Sequence, residues 1–401
     1  MTGVQPPRTV EHIDKPMQFE GDFEGFDILA ESRLLILAPH PDDEALATGG
    51  LLQRAQSVGA RVCVVFLTDG ENNPWPQRVA DRRWSIGARE RARWGARRRG
   101  EALRSLRTLG VTPDRVSFLG FPDQHLTALL TSGDPSLARV LSEVLAEQSP
   151  THVFSPSTHD HHSDHSAAAV AVRGACARRG RHHAPRLFEY VVHDGKQIPA
   201  GRVIRLSPTA DEVDRKHHAI ACHLSQLFFR RAELLAFATH DEVFFEPAIA
   251  GSDEPMHPIR AIQLDRGQLR LSLHRAPCLR AWGPASLVLL YPSLRGMRRT
   301  LRITLPWRSS DSAVRFADGR VASQHAAYTG GPYCGELCVP AALLPRLLPG
   351  FAKIDARFGF FDEAGWRALP LLTIANKQEL RDRIRRLAAP APGSSRIGQD
   401  S

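Results

Sequence analysis

Through its first 230 residues the chain alternates short apolar runs with helical patterns, and that alternation leaves few folds open. Arg33–Ala38 and Arg61–Leu67 are apolar runs of strand length, and Val116–Leu119, Thr151–Ser155 and Leu187–Val192 are shorter ones. Helical spacing falls between them, over Glu44–Val58, Gly87–Leu109, Pro135–Glu147 and His165–Arg178, and again over Ala210–Leu227. The polar stretch around Pro74 and Pro76 reads as a loop. Strands that alternate with helices pair in parallel through crossovers. The expected fold is therefore α/β, a Rossmann-like and mostly parallel sheet with helices on both faces. Ligand sites in such sheets lie beyond the carboxyl ends of the strands.

At 401 residues the chain exceeds one ordinary core. Its texture changes near residue 250. Leu269–Leu273, Ser286–Tyr291, Leu301–Leu305 and Ile354–Phe360 read as strands separated by turn residues, and helical signal returns only at Lys377–Leu387. Residues 1–30 are expected to be a polar lead-in, 31–250 the α/β domain, and 251–375 a smaller β-rich domain of sandwich type. Residues 376–401 are expected to be a terminal helix and a disordered tail, because Ala389–Ser401 is rich in Pro, Gly and Ser. Aromatic residues of the second region, such as Trp282, Tyr291, Trp307, Tyr328, Tyr333 and Trp366, suit either core packing or stacking on sugar rings.

No run approaches the roughly 20 apolar residues of a membrane helix, and the first residues lack the basic-then-apolar pattern of a signal peptide. A cytoplasmic location without a membrane span is the expectation. The formal charge is +9, with arginines crowded between Arg78 and Arg107. That bias favours anionic partners or a solvated helix face; no nucleic-acid motif accompanies it, and none is expected as a partner. The six cysteines form no zinc-knuckle spacing and are expected to be reduced thiols.

Two clusters carry the chemistry. Directly after the first strand comes Ala38-Pro39-His40-Pro41-Asp42-Asp43-Glu44. Three carboxylates this close repel one another unless a cation sits among them, and His with carboxylate suits Zn²⁺. Capping of the next helix by the same acids is the alternative. A catalytic zinc takes three protein ligands and keeps one position open, so the first cluster is short of a ligand. The second, His159-Asp160-His161-His162-Ser163-Asp164-His165, follows the Thr151–Ser155 strand. His162 and His165 stand three apart at a helix start, so both reach one cavity. One can bind metal while the other carries a proton, and Asp160 and Asp164 are available to orient the imidazoles.

These paired segments resemble the LmbE-like, or PIG-L, family of zinc-dependent de-N-acetylases. His40–Glu44 matches that family's HPDDE-type signature, and His162-Ser163-Asp164-His165 its His-x-Asp-His signature. Thr68-Asp69-Gly70-Glu71, the Arg98/Glu101 helix, Gly120-Phe121-Pro122-Asp123, and Lys216 with His223–Gln226 extend the likeness over roughly residues 30–230. The resemblance implies that His40, Asp43 and His165 bind zinc or another divalent ion. It makes Asp42 the general base and His162 a general acid or oxyanion stabiliser. Some members carry a tyrosine where this chain has Asp160, so Asp160 is not given that role, and His161 or a residue elsewhere would substitute.

The expected function is hydrolysis of the N-acetyl group of an N-acetylglucosamine-type amino sugar, on a glycan, glycolipid or glycoside that can be anionic or lipid-linked. The oligomeric state is open. Asp164 or Asp160 is expected to hold His162 charged. Arg98 and Asp123 are expected to contact substrate, and Lys216 and His223–Gln226 to brace the site's floor. The rivals are an amidase acting on a thiol conjugate or small amide, and a glycan-binding protein with a structural zinc.

Overall fold

The computed structural model describes residues 28–179, 183–193, 202–247, 257–265, 267–274, 285–292, 298–344, 350–355 and 365–369. The expected lead-in (apart from residues 28–30), the Lys377–Leu387 helix, the C-terminal tail, Cys278 and Trp282 lie outside the described residues. So does the end of the Ile354–Phe360 run. Among the described residues no helix is long and apolar enough to cross a membrane.

The first sheet is the expected one. Strands β1 (Arg33–Ala38), β2 (Arg61–Thr68), β3 (Val116–Phe121), β4 (His152–Pro156) and β5 (Arg186–Tyr190) are parallel neighbours, and β6 (Val203–Leu206) and β7 (Glu242–Phe245) close one edge antiparallel. Their order is β3-β2-β1-β4-β5-β7-β6. Strand β1 is central, which explains its unbroken apolar run: a strand covered on both faces has no solvent side to make polar. Alternate residues feed opposite cores. Leu34, Ile36 and Ala38 join one cluster with helices α1 (Asp43–Ser57) and α3 (Ala88–Thr108). Leu35 and Leu37 join the other, with α4 (Leu126–Ser132), α5 (Ser136–Gln148) and α6 (Ser163–Arg178).

Two local readings change. The Pro74/Pro76 stretch is helix α2 (Pro74–Asp81). Both prolines sit in its first turn, where amide hydrogens have no partner within the helix and a fixed φ is already helical. The single helix expected over Ala210–Leu227 is two, α7 (Ala210–Ala221) and α8 (Leu227–Ala236). The break at Cys222–Gln226 turns His223 and Ser225 inward, where the His223 ring meets Glu44 (2.9 Å) and Ser225 bonds to Glu101.

Among the described residues the second sheet has nine antiparallel strands: β8 (Ile259–Asp265), β9 (Gln268–His274), β10 (Ser286–Pro292), β11 (Arg298–Thr304), β12 (Ser310–Phe316), β13 (Val321–Gly330), β14 (Cys334–Pro340), β15 (Phe351–Asp355) and β16 (Arg367–Ala368). Their order is β16-β15-β10-β11-β12-β13-β14-β9-β8. The sandwich expectation is therefore corrected to one continuous sheet. It curls until its edges meet, because the Arg367 guanidinium on β16 donates to the carbonyls of Ile259 and Arg260 (2.9 Å to the latter) on β8. Tyr291, Tyr328 and Trp366 are buried in packing, whereas Trp307 and Tyr333 are exposed.

This sheet is not free-standing. Leu287 and Leu289 of β10 face its own core, while Val288 and Leu290, with Phe351 and Trp366, pack into the α4/α5/α6 cluster of the first sheet. Gly365, at φ +58, lies so close to the Thr158 carbonyl that a Cβ there would stand 2.5 Å from it. The β-rich region thus presses on the loop that carries the second histidine cluster.

Beneath α1 lies a buried ion pair, Lys216 Nζ to Glu242 Oε1 at 2.6 Å. The amides of Gly50 and Leu51 also donate to Glu242, at 2.6 and 2.9 Å. Gly49 admits the lysine, since a Cβ there would lie 2.9 Å from Lys216 Cγ. Removing one partner of a buried pair strands the other charge. Glu242→Gln is expected to cost about 3–5 kcal/mol, read as a lower urea midpoint at unchanged slope. Lys216→Met added to it should recover part of the loss.

Candidate active site

Segments following β1, β3, β4 and β5 converge beyond the carboxyl ends of the parallel strands. His40 Nδ1 lies 3.4 Å from Asp43 Oδ2 and 3.3 Å from His165 Nε2, and His165 Nε2 lies 3.1 Å from Asp43 Oδ2. Ligand atoms on a tetrahedral zinc with bonds of about 2.0 Å stand about 3.3 Å apart, so this near-equilateral triangle has the required size. All three residues are buried.

The outer nitrogens decide which atoms face inward. His40 Nε2 lies 3.1 Å from Asp123 Oδ1 and 3.4 Å from Asp164 Oδ2. His165 Nδ1 lies 3.1 Å from Asp160 Oδ2. A carboxylate only accepts, so those nitrogens carry the hydrogens and the inner nitrogens present lone pairs. Two lone pairs and a carboxylate oxygen aimed at one point repel one another unless a cation lies between them. Imidazoles braced on carboxylates are the usual outer support of a metal site. This mixed nitrogen and oxygen set fits zinc.

His40, His162 and His165 form another grouping compact enough to hold a metal. His162 is disfavoured as a ligand by its other nitrogen. Its Nδ1 accepts from the Asp164 amide (3.2 Å), capping α6. Nδ1 therefore holds a lone pair and the neutral ring's hydrogen sits on Nε2. The atom that could reach a metal is a donor.

Asp160 is the hub of the second segment. Its two oxygens accept from the amides of His162 (2.9 Å), Val192 (2.9 Å) and His193 (3.2 Å), and meet the rings of His165 (3.1 Å) and His193 (3.2 Å). Asp164 binds the amides of Gln124 (2.6 Å) and Leu126 (3.0 Å). The expectation that one of these acids holds the His162 ring charged is corrected: both are committed elsewhere, and a backbone N–H occupies that nitrogen. His161 bonds through its amide to the His193 carbonyl (3.2 Å).

Arg98 and Asp123 do not reach outward as substrate contacts would. Arg98 is buried, donating to the carbonyls of Gly70 (2.9 Å) and Pro41 (2.7 Å), with Nη2 3.2 Å from Asp42 Oδ1. Asp123 is buried behind His40 and accepts from the Asn72 amide (2.9 Å). The first segment's acids do not merely cap α1: Asp42 makes no side-chain cap bond and adopts φ 140. Such a backbone costs of order 1–3 kcal/mol and persists only where its surroundings over-determine it. Here Glu44 accepts from the Asp42 amide (2.9 Å) while Arg98 grips the preceding carbonyl.

The electrostatics draw positive charge inward. Burial disfavours charge on His165, but Asp160 and Asp43 outweigh it and lift the ring to about 10. Burial likewise opposes charge on His40, and Asp123, Asp164 and Asp43 overcome it. His162 is held well below its ordinary value by burial and by the rings of His40, His165 and His193. Asp42 is raised by burial, against the pull of Arg98.

His193 is the site residue that the sequence did not reveal. It follows β5, and its ring centroid stands 4.6 Å from that of His165 and 5.2 Å from that of His162. A single histidine beyond a strand end has no spacing signature. Asp42, His162 and His193 are partly exposed, while the three converging donors are buried.

A mostly parallel sheet covered on both faces thus carries, beyond its strand ends, a buried cluster of His and Asp side chains compact enough to hold a metal. Residues 35–176, from β1 into α6, match the PIG-L family model, described as GlcNAc-PI de-N-acetylase, and His40–Glu44 and His162–His165 both lie inside the matched span. The chain is 29% identical over 157 residues to the 1D-myo-inositol 2-acetamido-2-deoxy-alpha-D-glucopyranoside deacetylase of Thermomonospora curvata, covering 36% of this chain and 52% of that protein. With the enzyme of the same description from Nocardia farcinica it shares 33% identity over 167 residues, covering 37% and 54%. The chain thus spans about half the length of the curated relatives it matches. The crystal structure of the conserved protein TT1542 from Thermus thermophilus matches at 28% identity with a TM-score of 0.41, over 54% of this chain and 95% of that one.

Loss of the outer support of a metal-binding histidine typically weakens metal affinity 10–100-fold. Asp160→Asn is expected to lower zinc affinity by about that factor, measured by competition with a chromophoric chelator. Arg99→Gln, whose guanidinium bonds Asp69 and none of the three donors, should leave affinity unchanged.

Proposed function

We propose that the chain is a zinc-dependent de-N-acetylase that hydrolyses the acetamide of an N-acetylglucosamine-type amino sugar on a glycan, glycolipid or glycoside. The observation that carries this is the triangle of His40, Asp43 and His165 with a partly exposed carboxylate, Asp42, beside it. The curated relatives named above are deacetylases of an acetamido sugar, which supports the same substrate class. Three nitrogen and oxygen ligands argue against a structural zinc, which is commonly closed by four ligands, often thiolates.

Zinc, when bound, supplies Lewis acidity, polarising the acetyl carbonyl and making water acidic enough to attack near neutral pH. Asp42 takes the proton of the attacking water. Arg98 holds that carboxylate in place and favours its ionised form. His162 donates from Nε2 to the carbonyl oxygen as negative charge gathers there; one such donor is worth roughly 3–4 kcal/mol in other hydrolases. With Nδ1 capped by an amide, His162 has one hydrogen to offer and it is engaged at the oxygen. That favours Asp42 as the group returning a proton to the departing amine.

Residues 31–250 are the proposed catalytic unit and 251–375 an accessory β-rich unit braced against it. Exposed aromatic side chains on and near α2 and α8 favour an apolar or anionic aglycone. Exposed Trp75 and Trp84 flank the Arg78 guanidinium at 4.9 and 5.1 Å. Exposed Phe228 and Phe229 follow Gln226, which bonds to Asn73 (3.2 Å).

The test is acetate release from a panel of N-acetylglucosamine conjugates. Release should stop with a chelator and return with zinc. Asp42→Asn, isosteric and tolerant of positive φ, should retain zinc and lose at least about a hundredfold in kcat. Near-normal turnover by that variant would remove Asp42 from the reaction, and a zinc-loaded protein inactive on the whole panel would overturn the reading.

A further inference from the structure

We propose that helices α2 and α8 form a docking face for the surface of an anionic phospholipid bilayer, with the mouth of the site turned toward the headgroups. The docking stands on its own observations; that substrate is then taken from the membrane rests on the proposed hydrolysis. Among the described residues twelve large apolar side chains are strongly exposed, and six of them fall in two short stretches: Trp75, Val79 and Trp84, and Leu224, Phe228 and Phe229. Scattered singly such side chains mean little, whereas a group of them marks a contact surface. The two stretches are neighbours, because Asn73 at the start of α2 donates to Gln226 at the start of α8 (3.2 Å).

Both helices leave the rim of the site. Helix α2 follows the loop whose Gly70 carbonyl accepts from Arg98 and whose Asn72 amide donates to Asp123. Helix α8 follows the turn in which the His223 ring meets Glu44. The Arg230 guanidinium on α8 is lifted chiefly by its bond to Glu233, against burial, and the charge of Asp42 adds to the lift.

The aromatic side chains are held in place. Trp75 and Trp84 meet edge to face at 6.3 Å, and the Arg78 guanidinium stands over both rings at 4.9 and 5.1 Å. Arg78 Nε also donates to the Trp84 carbonyl (2.9 Å). Phe228 and Phe229 meet edge to face at 5.4 Å. Indoles, with an apolar body and a polar N–H, settle at the boundary between headgroups and acyl chains. Positive charge surrounds them. From Arg78 to Arg99 the chain has nine arginines and two acids. The acids are already engaged, Asp81 by Arg93 (3.6 Å) and Glu90 by Arg83 (3.0 Å), which leaves exposed Arg82 and Arg89 as uncompensated charge. An anionic lipid surface draws such a basic segment in and then admits its apolar neighbours. With Arg78 already over both indoles, insertion among headgroups suits them better than stacking on nucleic-acid bases, which needs an open ring face.

The experiment sediments the full chain with vesicles of phosphatidylcholine alone or mixed in equal parts with phosphatidylglycerol. Binding should require phosphatidylglycerol and fade as salt shortens the Debye length from about 10 to about 3 Å. Arg82→Gln with Arg89→Gln should weaken it roughly tenfold to thirtyfold. Trp75→Ser with Trp84→Ser should weaken it at least about tenfold and remove the quenching of tryptophan fluorescence by brominated acyl chains. On zinc-loaded protein the arginine variant should lose a similar factor in kcat/KM for an N-acetylglucosaminyl lipid held in the anionic vesicles. It should match the parent on the methyl glycoside of N-acetylglucosamine.

Parent protein that ignores both vesicles, or binds both alike, would overturn the proposal. So would a single-stranded oligonucleotide that binds in place of vesicles through Arg82 and Arg89, or self-association through Trp75 and Trp84 seen by sedimentation velocity. Hydrolysis of the methyl glycoside by protein that binds no vesicle would remove the docking face alone. Anionic-vesicle binding that depends on these residues, with no acetate released from either substrate, would uphold the docking face and remove the proposed hydrolysis.

Discussion

Five hydrogen-bond donors end on the carboxylate of Asp160: three backbone amides and two imidazoles. A buried charge without partners would be very costly, and here every lone pair with reach is used. The same contact sets the hydrogen of His165 on its outer nitrogen, turns its inner nitrogen toward His40 and Asp43, and joins the loop after β4 to the loop after β5. Removing this anchor would release the second segment from the first, and the donor triangle would lose one corner.

The chemistry follows from which atoms are buried and which keep a face to solvent. His40, Asp43 and His165 are enclosed, so their lone pairs are poor partners for water and strong partners for a cation. Asp42 and His162 border the opening. Arg98, buried beneath, belongs to the framework: it holds the Pro41 carbonyl and so maintains the unusual backbone of Asp42.

The second sheet shares this logic at longer range. Val288, Leu290, Phe351 and Trp366 pack on the same helices that carry the first sheet's outer core. Gly365 touches Thr158, two residues before Asp160. Movement of the β-rich region would therefore press directly on the segment that presents His162 and His165.

By itself the sequence determined much that is local. The strand-length runs of β1 and β2 announced a doubly covered parallel sheet, because no solvent face interrupts them. The HPDDE-type and His-x-Asp-His segments marked the candidate cation-binding residues, since clustered acids and imidazoles at strand ends suit a cation. Pro74 and Pro76 misled, because prolines that break a helix interior also begin one. Only the tertiary structure decided which nitrogen of His40 and of His165 meets a carboxylate, that Asp123 and Arg98 are buried among protein partners, and that His193 lies beside His162 and His165. Those choices depend on hydrogen bonds between residues 30 to 125 positions apart, such as Asp160 with His193, Arg98 with Pro41, and His165 with His40. Such partners leave no period or spacing in a linear chain; they exist once the sheet has brought its strand ends together.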